Sequence, residues 1–147
     1  MENEKTKGIK IKMSQVFKNE IVYPVSIIKL DKKEEAENFK EEELLIISGT
    51  TKGHGFQGPV KRYSFAGGPK THGQKNRLRA PGSIGSTAPQ RVLPGRKMAG
   101  RMGGVRKTIK NLKIVSVDKE NGLILILGSC PGNNRSKVEI RKAISAK

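Results

Sequence analysis

Tryptophan is absent from this 147-residue chain, cysteine occurs once, and aromatic residues make up only 4% of it. A lone thiol, Cys130, excludes an internal disulfide and any cluster of thiolates around zinc, and it fits a reducing compartment. So few aromatics, with Phe56, Tyr63 and Phe65 the only three near mid-chain, exclude a broad base-stacking platform of the RNA-recognition type. Long hydrophobic runs are missing too. Leu44–Ile47 and Leu123–Leu127 are far too short to span a bilayer. The N-terminal stretch Met1–Lys12 is charged and lacks the apolar centre of a secretory signal. No membrane partner is expected.

The most informative absence is that of carboxylate. Residues 44–117 hold no Asp or Glu, yet carry 15 Lys or Arg. Net charges of the three regions 1–43, 44–117 and 118–147 are −1, +15 and +3, out of a total of +17. The same middle region holds 13 of the 17 glycines and 5 of the 7 prolines. A segment that is basic, Gly-rich and poor in large apolar residues cannot bury enough surface to offset its conformational entropy. A polyanion must neutralise it and stand in for the missing core, and nucleic acid is the natural one.

The flanks read as β. Ile9, Ile11 and Met13 alternate with Lys10, Lys12 and Ser14, the period of a half-buried strand. Ile21–Leu30 is a second, β-branched run in which Pro24 requires an edge or a bulge. With Lys18–Glu20 as punctuation, the two form a hairpin. Asp31–Glu43 reads as a solvated connector rather than a short helix, and Leu44–Ser48 as a strand. Ile109–Val117 and Leu123–Gly128 flank an Asn121-Gly122 turn, a second hairpin, and Val138–Ala143 closes the pattern with a short strand. Between Gly49 and Lys107 no period is sustained. The expected fold is mainly β. A small antiparallel barrel-like domain is built from residues 1–48 and 109–147, and a basic irregular extension over 49–108 is its functional part.

Motifs for catalysis fail on inspection. Gly53–Gly58 spells G-x-G-x-x-G, but Pro59 follows where a helix should open and no acid lies about 20 residues on to bind a ribose. His54 and His72 have no neighbouring carboxylate to orient them as acid–base groups and make a poor metal pair; each is read as a base or phosphate contact. Cys130, between an apolar strand and Pro131-Gly132, reads as a buried structural thiol. No catalytic residue, metal, cofactor or small-molecule substrate is expected. The cations fall instead into small spaced clusters separated by Gly and Pro: Lys61-Arg62, Lys75 with Arg77 and Arg79, Arg96-Lys97, then Arg101 and Arg106-Lys107. Spacing of this kind suits a chain threading between phosphates. No zinc-finger, helix-turn-helix or zipper pattern accompanies them.

The basic segment closely resembles a known family. Gly49–Gly58 (GTTKGHGFQG), Lys61-Arg62, Thr71-His72-Gly73, Arg79–Gly85 (RAPGSIG) and Gly95–Gly103 (GRKMAGRMG) follow the order and spacing of the bacterial form of the universal large-subunit ribosomal protein L3 family. Weaker similarity covers Gly8–Phe17 and Asn111–Pro131. The resemblance implies a barrel like that of translation proteins, on the subunit surface. It implies a loop that enters ribosomal RNA toward the peptidyl transferase centre, with its tip at Ser83, Ile84, Gly85, Ser86, Thr87, Ala88, Pro89 and Gln90. It implies binding of large-subunit RNA early in assembly, contact with neighbouring ribosomal proteins, a ribosomal location in the cytoplasm or in an organelle, and no catalysis. Two departures stand out. Only Asp31–Glu43 fills a stretch that is much longer in the family, which leaves closure of the barrel open. The tip is one residue shorter than the family pattern, so the methylated glutamine of some members is not carried over.

The residues expected to meet RNA are Lys52, His54, Lys61, Arg62, His72, Lys75, Arg77, Arg79, Arg91, Arg96, Lys97, Arg101, Arg106 and Lys107, acting on phosphate with little base readout. Two rival readings are a chromatin-type condenser that binds any duplex and a nucleotide-dependent enzyme using Gly53–Gly58.

Overall fold

A computed structural model describes residues 5–18 and 20–143. Asn19 of the first expected turn, and the outer ends (1–4 and 144–147) of the expected barrel segments, lie outside the described residues. The elements in chain order are β1 (Thr6–Lys18), β2 (Ile21–Leu30), a 3-10 turn (Lys33–Asn38), β3 (Leu44–Thr50), β4 (Phe56–Gln57), α1 (Pro59–Tyr63), β5 (Gly100–Arg101), β6 (Arg106–Asp118), β7 (Leu123–Leu127) and β8 (Lys137–Lys142). By contacts the chain divides into two units, residues 1–52 with 104–147, and residues 53–103.

The first unit is an antiparallel sheet of six strands. Every strand has two hydrogen-bonded neighbours, in the order β1-β2-β7-β6-β3-β8, and β8 pairs in turn with β1. Both expected hairpins form, β1 with β2 and β6 with β7. The mainly β, barrel-like expectation therefore holds, and the pairing returns on itself despite the short connector. The β3–β6 ladder runs from Leu44↔Lys113 to Thr50↔Arg106, so regular pairing extends past residues 48 and 109 into the basic segment.

Branched aliphatic residues at alternate positions point inward. Ile28, Leu45, Ile47, Ile114, Ile124, Ile126 and Ile140 are fully buried in one cluster, with Leu30 and Val138 beside them. Each such side chain contributes about 1.5–3 kcal/mol on leaving water.

The connector over Asp31–Glu43 departs from expectation. Its 3-10 turn buries Ala36, and Phe39 just after it is also buried; both join the core cluster. Charged residues dominate the sequence there, but two apolar ones are enough to plug the cluster from one end. Lys142 covers the plug, with Nζ 5.6 Å from the Phe39 ring centroid, a hydrogen bond to the Asn38 carbonyl and an ion pair to Glu43 at 3.0 Å.

β1 forms as expected, but its inward and outward faces are the reverse of the expected alternation. Thr6, Gly8 and Lys10 face inward and are buried, Ile9 and Ile11 are half-buried, and Met13 is exposed. A bulge between Lys10 and Lys12 shifts the register. Lys10 can lie inside because its Nζ donates to two carbonyls, Cys130 O at 2.7 Å and Gly132 O at 3.2 Å. Burial lowers the ammonium's pKa below the usual lysine value. Gly8 is required at its place: a Cβ there would sit 2.8 Å from the Lys29 carbonyl oxygen. Pro24 behaves as expected, because β2 pairs with β7 only over Val25–Lys29. Beyond that point Gln15–Lys18 pair only with Ile21–Pro24, leaving Phe17 and Ile21 exposed.

Cys130 is buried, as expected, and burial raises its thiol pKa. Its N–H donates to Ser26 Oγ, which in turn donates to Gly128 O. The thiol belongs to the packing of the first unit.

Candidate nucleic-acid interface

Residues 53–103 have a different physical character. They carry ten Lys or Arg and no carboxylate. None of the chain's buried hydrophobic residues among those described lies between 53 and 103. Pro59 is the one buried residue of α1. Phe56, Leu78, Ile84, Val92, Leu93 and Met98 are all exposed.

Backbone hydrogen bonds and small side-chain clasps hold this unit together. β4 pairs with β5 through Phe56↔Arg101 and Gln57↔Gly100. His54 N donates to Met102 O and Met102 N to Gly55 O, both at 2.9 Å. The helix α1 opens immediately after Gly58, its N-cap, with Pro59 in the first turn. The expectation that Pro59 bars a helix was wrong on its physics, since the first helical position needs no N–H. The helix is five residues long and ends at Ser64 in the left-handed region. No carboxylate follows it in the unit, so the G-x-G-x-x-G run has neither the helix length nor the ribose ligand of a dinucleotide site.

The expected RNA-contacting residues fall into three groups. Lys61, His72, Lys75, Arg77, Arg79, Arg91, Lys97 and Arg101 are exposed, and so is His54. These groups lack any carboxylate neighbour within the unit. Arg62 and Arg96 are exposed or half-exposed but spend part of their donor capacity on the chain itself. Arg62 Nη1 donates to Met98 O at 2.8 Å, and Arg96 Nη2 donates to Ser83 O. Both clasps tie distant parts of the unit together, one at α1 and the other at the expected tip. The third group, Lys52, Arg106 and Lys107, lies in the first unit. There Arg106 is committed: Nη1 and Nη2 reach Oε1 and Oε2 of Glu139 at 3.2 and 2.6 Å. Those hydrogen bonds, with the charge of Glu139, raise the guanidinium's pKa further. The tip residues Ser83–Gln90 are all exposed.

Sequence reasoning missed the role of Tyr63. Arg62 Cζ lies 5.0 Å and Lys97 Nζ 5.6 Å from its ring centroid, so one aromatic ring gathers two cations from sites 35 residues apart in sequence. The spacing gave no clue, because the two cations meet only through folding. All four ion pairs among the described residues lie in the first unit. No group of His, Cys, Asp and Glu among the described residues could hold a metal. Among the described residues no helix is long and apolar enough to cross a membrane.

Fold and charge together define a mainly β protein with a coreless, polycationic segment set between its strands. A model of the ribosomal protein L3 family matches residues 25–123, a span that contains the whole of that segment. The chain belongs to the ribosomal protein L3 family. It is 53% identical over 103 residues to the large ribosomal subunit protein uL3 of Chlorobaculum parvum, covering 69% of this chain and 49% of that protein. Against uL3 of Dehalococcoides mccartyi it is 49% identical over 106 residues, 71% of this chain and 52% of the relative. Against uL3 of an Exiguobacterium species it is 40% identical over 146 residues, 97% and 70% respectively. The chain thus spans about half the length of the first curated relatives it matches. The bacterial-type resemblance seen in residues 49–104 is borne out.

Proposed function

We propose that this chain is a structural constituent of the large ribosomal subunit and binds 23S-type ribosomal RNA through residues 49–108, without catalysing a reaction. The observation that carries this reading is the pairing of ten cations with no carboxylate and no buried aliphatic residue between 53 and 103, inside the span that matches the family. Phosphate oxygens supply the missing negative charge, and the stacked RNA interior supplies the missing wall. Arg77, Arg79, Arg91 and Arg101 offer bidentate donors for phosphate, while Lys61, Lys75 and Lys97 offer point charge.

In this reading the barrel-like unit sits at the surface of the bacterial cytoplasmic ribosome, beside neighbouring ribosomal proteins. The tip Ser83–Gln90 supports RNA near the peptidyl transferase centre, and binding occurs early in assembly. Family membership and the relatives' printed names support the large-subunit setting.

The test is binding of the chain to a large-subunit ribosomal RNA fragment over a range of salt. If about ten phosphates are neutralised, log affinity falls with log salt at a slope of roughly −7 to −9. A slope near −1, or equal affinity for duplex DNA in competition, overturns the reading. The first outcome removes the phosphate mechanism, and the second returns the chain to the class of general condensers.

A further inference from the structure

We propose that the basic unit contains a receptor for one extruded adenine of its RNA, formed by Phe65, Gln74 and Arg77. This inference rests on the RNA-binding reading above and adds base recognition to it.

The receptor's floor is a close crossing of two chain segments. Gly68 N donates to Leu78 O at 3.0 Å. A Cβ on Gly67 would lie 2.2 Å from the Leu78 carbonyl oxygen, and one on Gly68 would lie 2.9 Å from that of Arg77. Glycine at both positions lets the two backbones touch and pinches off the loop between them. Gly67 also has φ +77, which other residues rarely adopt. Over this crossing opens a cavity of about 880 Å³, within the roughly 300–1,000 Å³ typical of small-molecule sites.

Its lining matches a nucleobase. Phe65 contributes an aromatic wall, half-buried and braced by Tyr63 with ring centroids 6.2 Å apart. Pro69 and Pro81 add flat apolar surface. Gln74 supplies the polar edge. Its Nε2 is shielded from solvent and has no hydrogen-bond partner among the described residues, a condition that costs free energy in any folded chain. Turning that amide toward the cavity sacrifices no bond at Nε2 and presents a donor beside an acceptor. That pair complements adenine N7 and N6. Arg77 at the rim is exposed and can hold the phosphate of the same nucleotide. No carboxylate stands in the unit to repel it. A base tethered to RNA already gripped by the surrounding cations arrives at high effective concentration, and bulged bases in RNA are already free to leave the stack.

The experiment uses the full chain and RNA hairpins of one stem sequence, fully paired or carrying a single bulged A, C, G or U, with affinity read by fluorescence anisotropy at fixed salt. The bulged-A hairpin should bind roughly tenfold more tightly than the paired one, the discrimination expected of one good bidentate contact. Gln74→Leu, which keeps the volume and removes the amide, and Phe65→Ala should each abolish most of that preference. Affinity for the paired hairpin and its salt slope should be unchanged. Equal binding of all hairpins, a preference for another base, or a preference that survives Gln74→Leu overturns the receptor while leaving phosphate binding intact. Loss of binding to every hairpin, with a flat salt response, removes both readings.

Discussion

One chain solves the problem of compactness in two ways. In the first unit, isoleucines from five strands meet in a sealed cluster, a buried Lys10 is held by two carbonyls, and surface charges are matched in four ion pairs. In residues 53–103 no aliphatic side chain is buried, no cation meets a carboxylate, and backbone clasps such as Gly68 to Leu78 and His54 to Met102 hold the path. Aliphatic burial holds the first unit together, whereas the second carries charge of one sign and has no buried aliphatic residue, so under the proposed function it draws cohesion from a partner of opposite charge.

This contrast can be broken experimentally, and the largest expected effect is on protease sensitivity. Limited digestion of the free chain should cut within residues 50–107 well before it cuts β2 or β7, because opening there exposes almost no buried apolar surface. Adding large-subunit RNA should suppress those early cuts. First cuts in the barrel-like unit would mean that the basic segment has a cohesion of its own.

Next in size is a pair of truncations. Ile124→Ala, at a fully buried position, should cost about 2–5 kcal/mol in thermal or denaturant unfolding. Leu93→Ala, at a position 56% exposed, should stay within about 0.5 kcal/mol. Comparable losses at the two sites would erase the distinction between the units.

The smallest effect sharpens the same comparison through pH. The Arg106 hydrogen bonds hold Glu139 below its ordinary carboxylate value, Asn121 does the same for Asp118, and Lys113 for Glu42. A carboxylate with a depressed native pKa stabilises the fold above its unfolded value and loses that contribution as pH falls through the native one. All three groups are in the first unit and near the surface, so its melting temperature should decline modestly below the ordinary carboxylate range. Glu139→Gln should flatten part of that decline. The segment without carboxylates offers no group that titrates there.

Much of this organisation is legible in the residues. The absence of acid from 44 to 117 and the glycine enrichment mark off the basic segment. β-Branched runs at Ile21–Leu30 and Leu123–Leu127 declare their strands, because burial of alternate side chains leaves a local periodic trace. What was not legible depends on distant partners. Lys10 turns inward because Cys130 and Gly132, over a hundred residues on, present carbonyls to it. Ala36 and Phe39 plug a cluster assembled from strands on both sides of the basic segment. Within that segment, the Tyr63 cluster with Arg62 and Lys97 and the crossing of Gly67-Gly68 with Arg77-Leu78 also arise only from folding. Clusters of cations announce affinity for phosphate, but not which of them, like Arg106, already has a carboxylate to hold.

The place of β8 in chain order has a consequence for synthesis. This strand pairs with β1 on one edge and β3 on the other, yet it is made after the entire cationic stretch. The sheet therefore cannot join its edges until every one of those lysines and arginines has emerged from the exit tunnel. A nascent chain thus exposes its cationic stretch to solution before its own barrel is sealed, and any polyanion that captured the stretch early would do so while the strands flanking it in sequence are still finding one another.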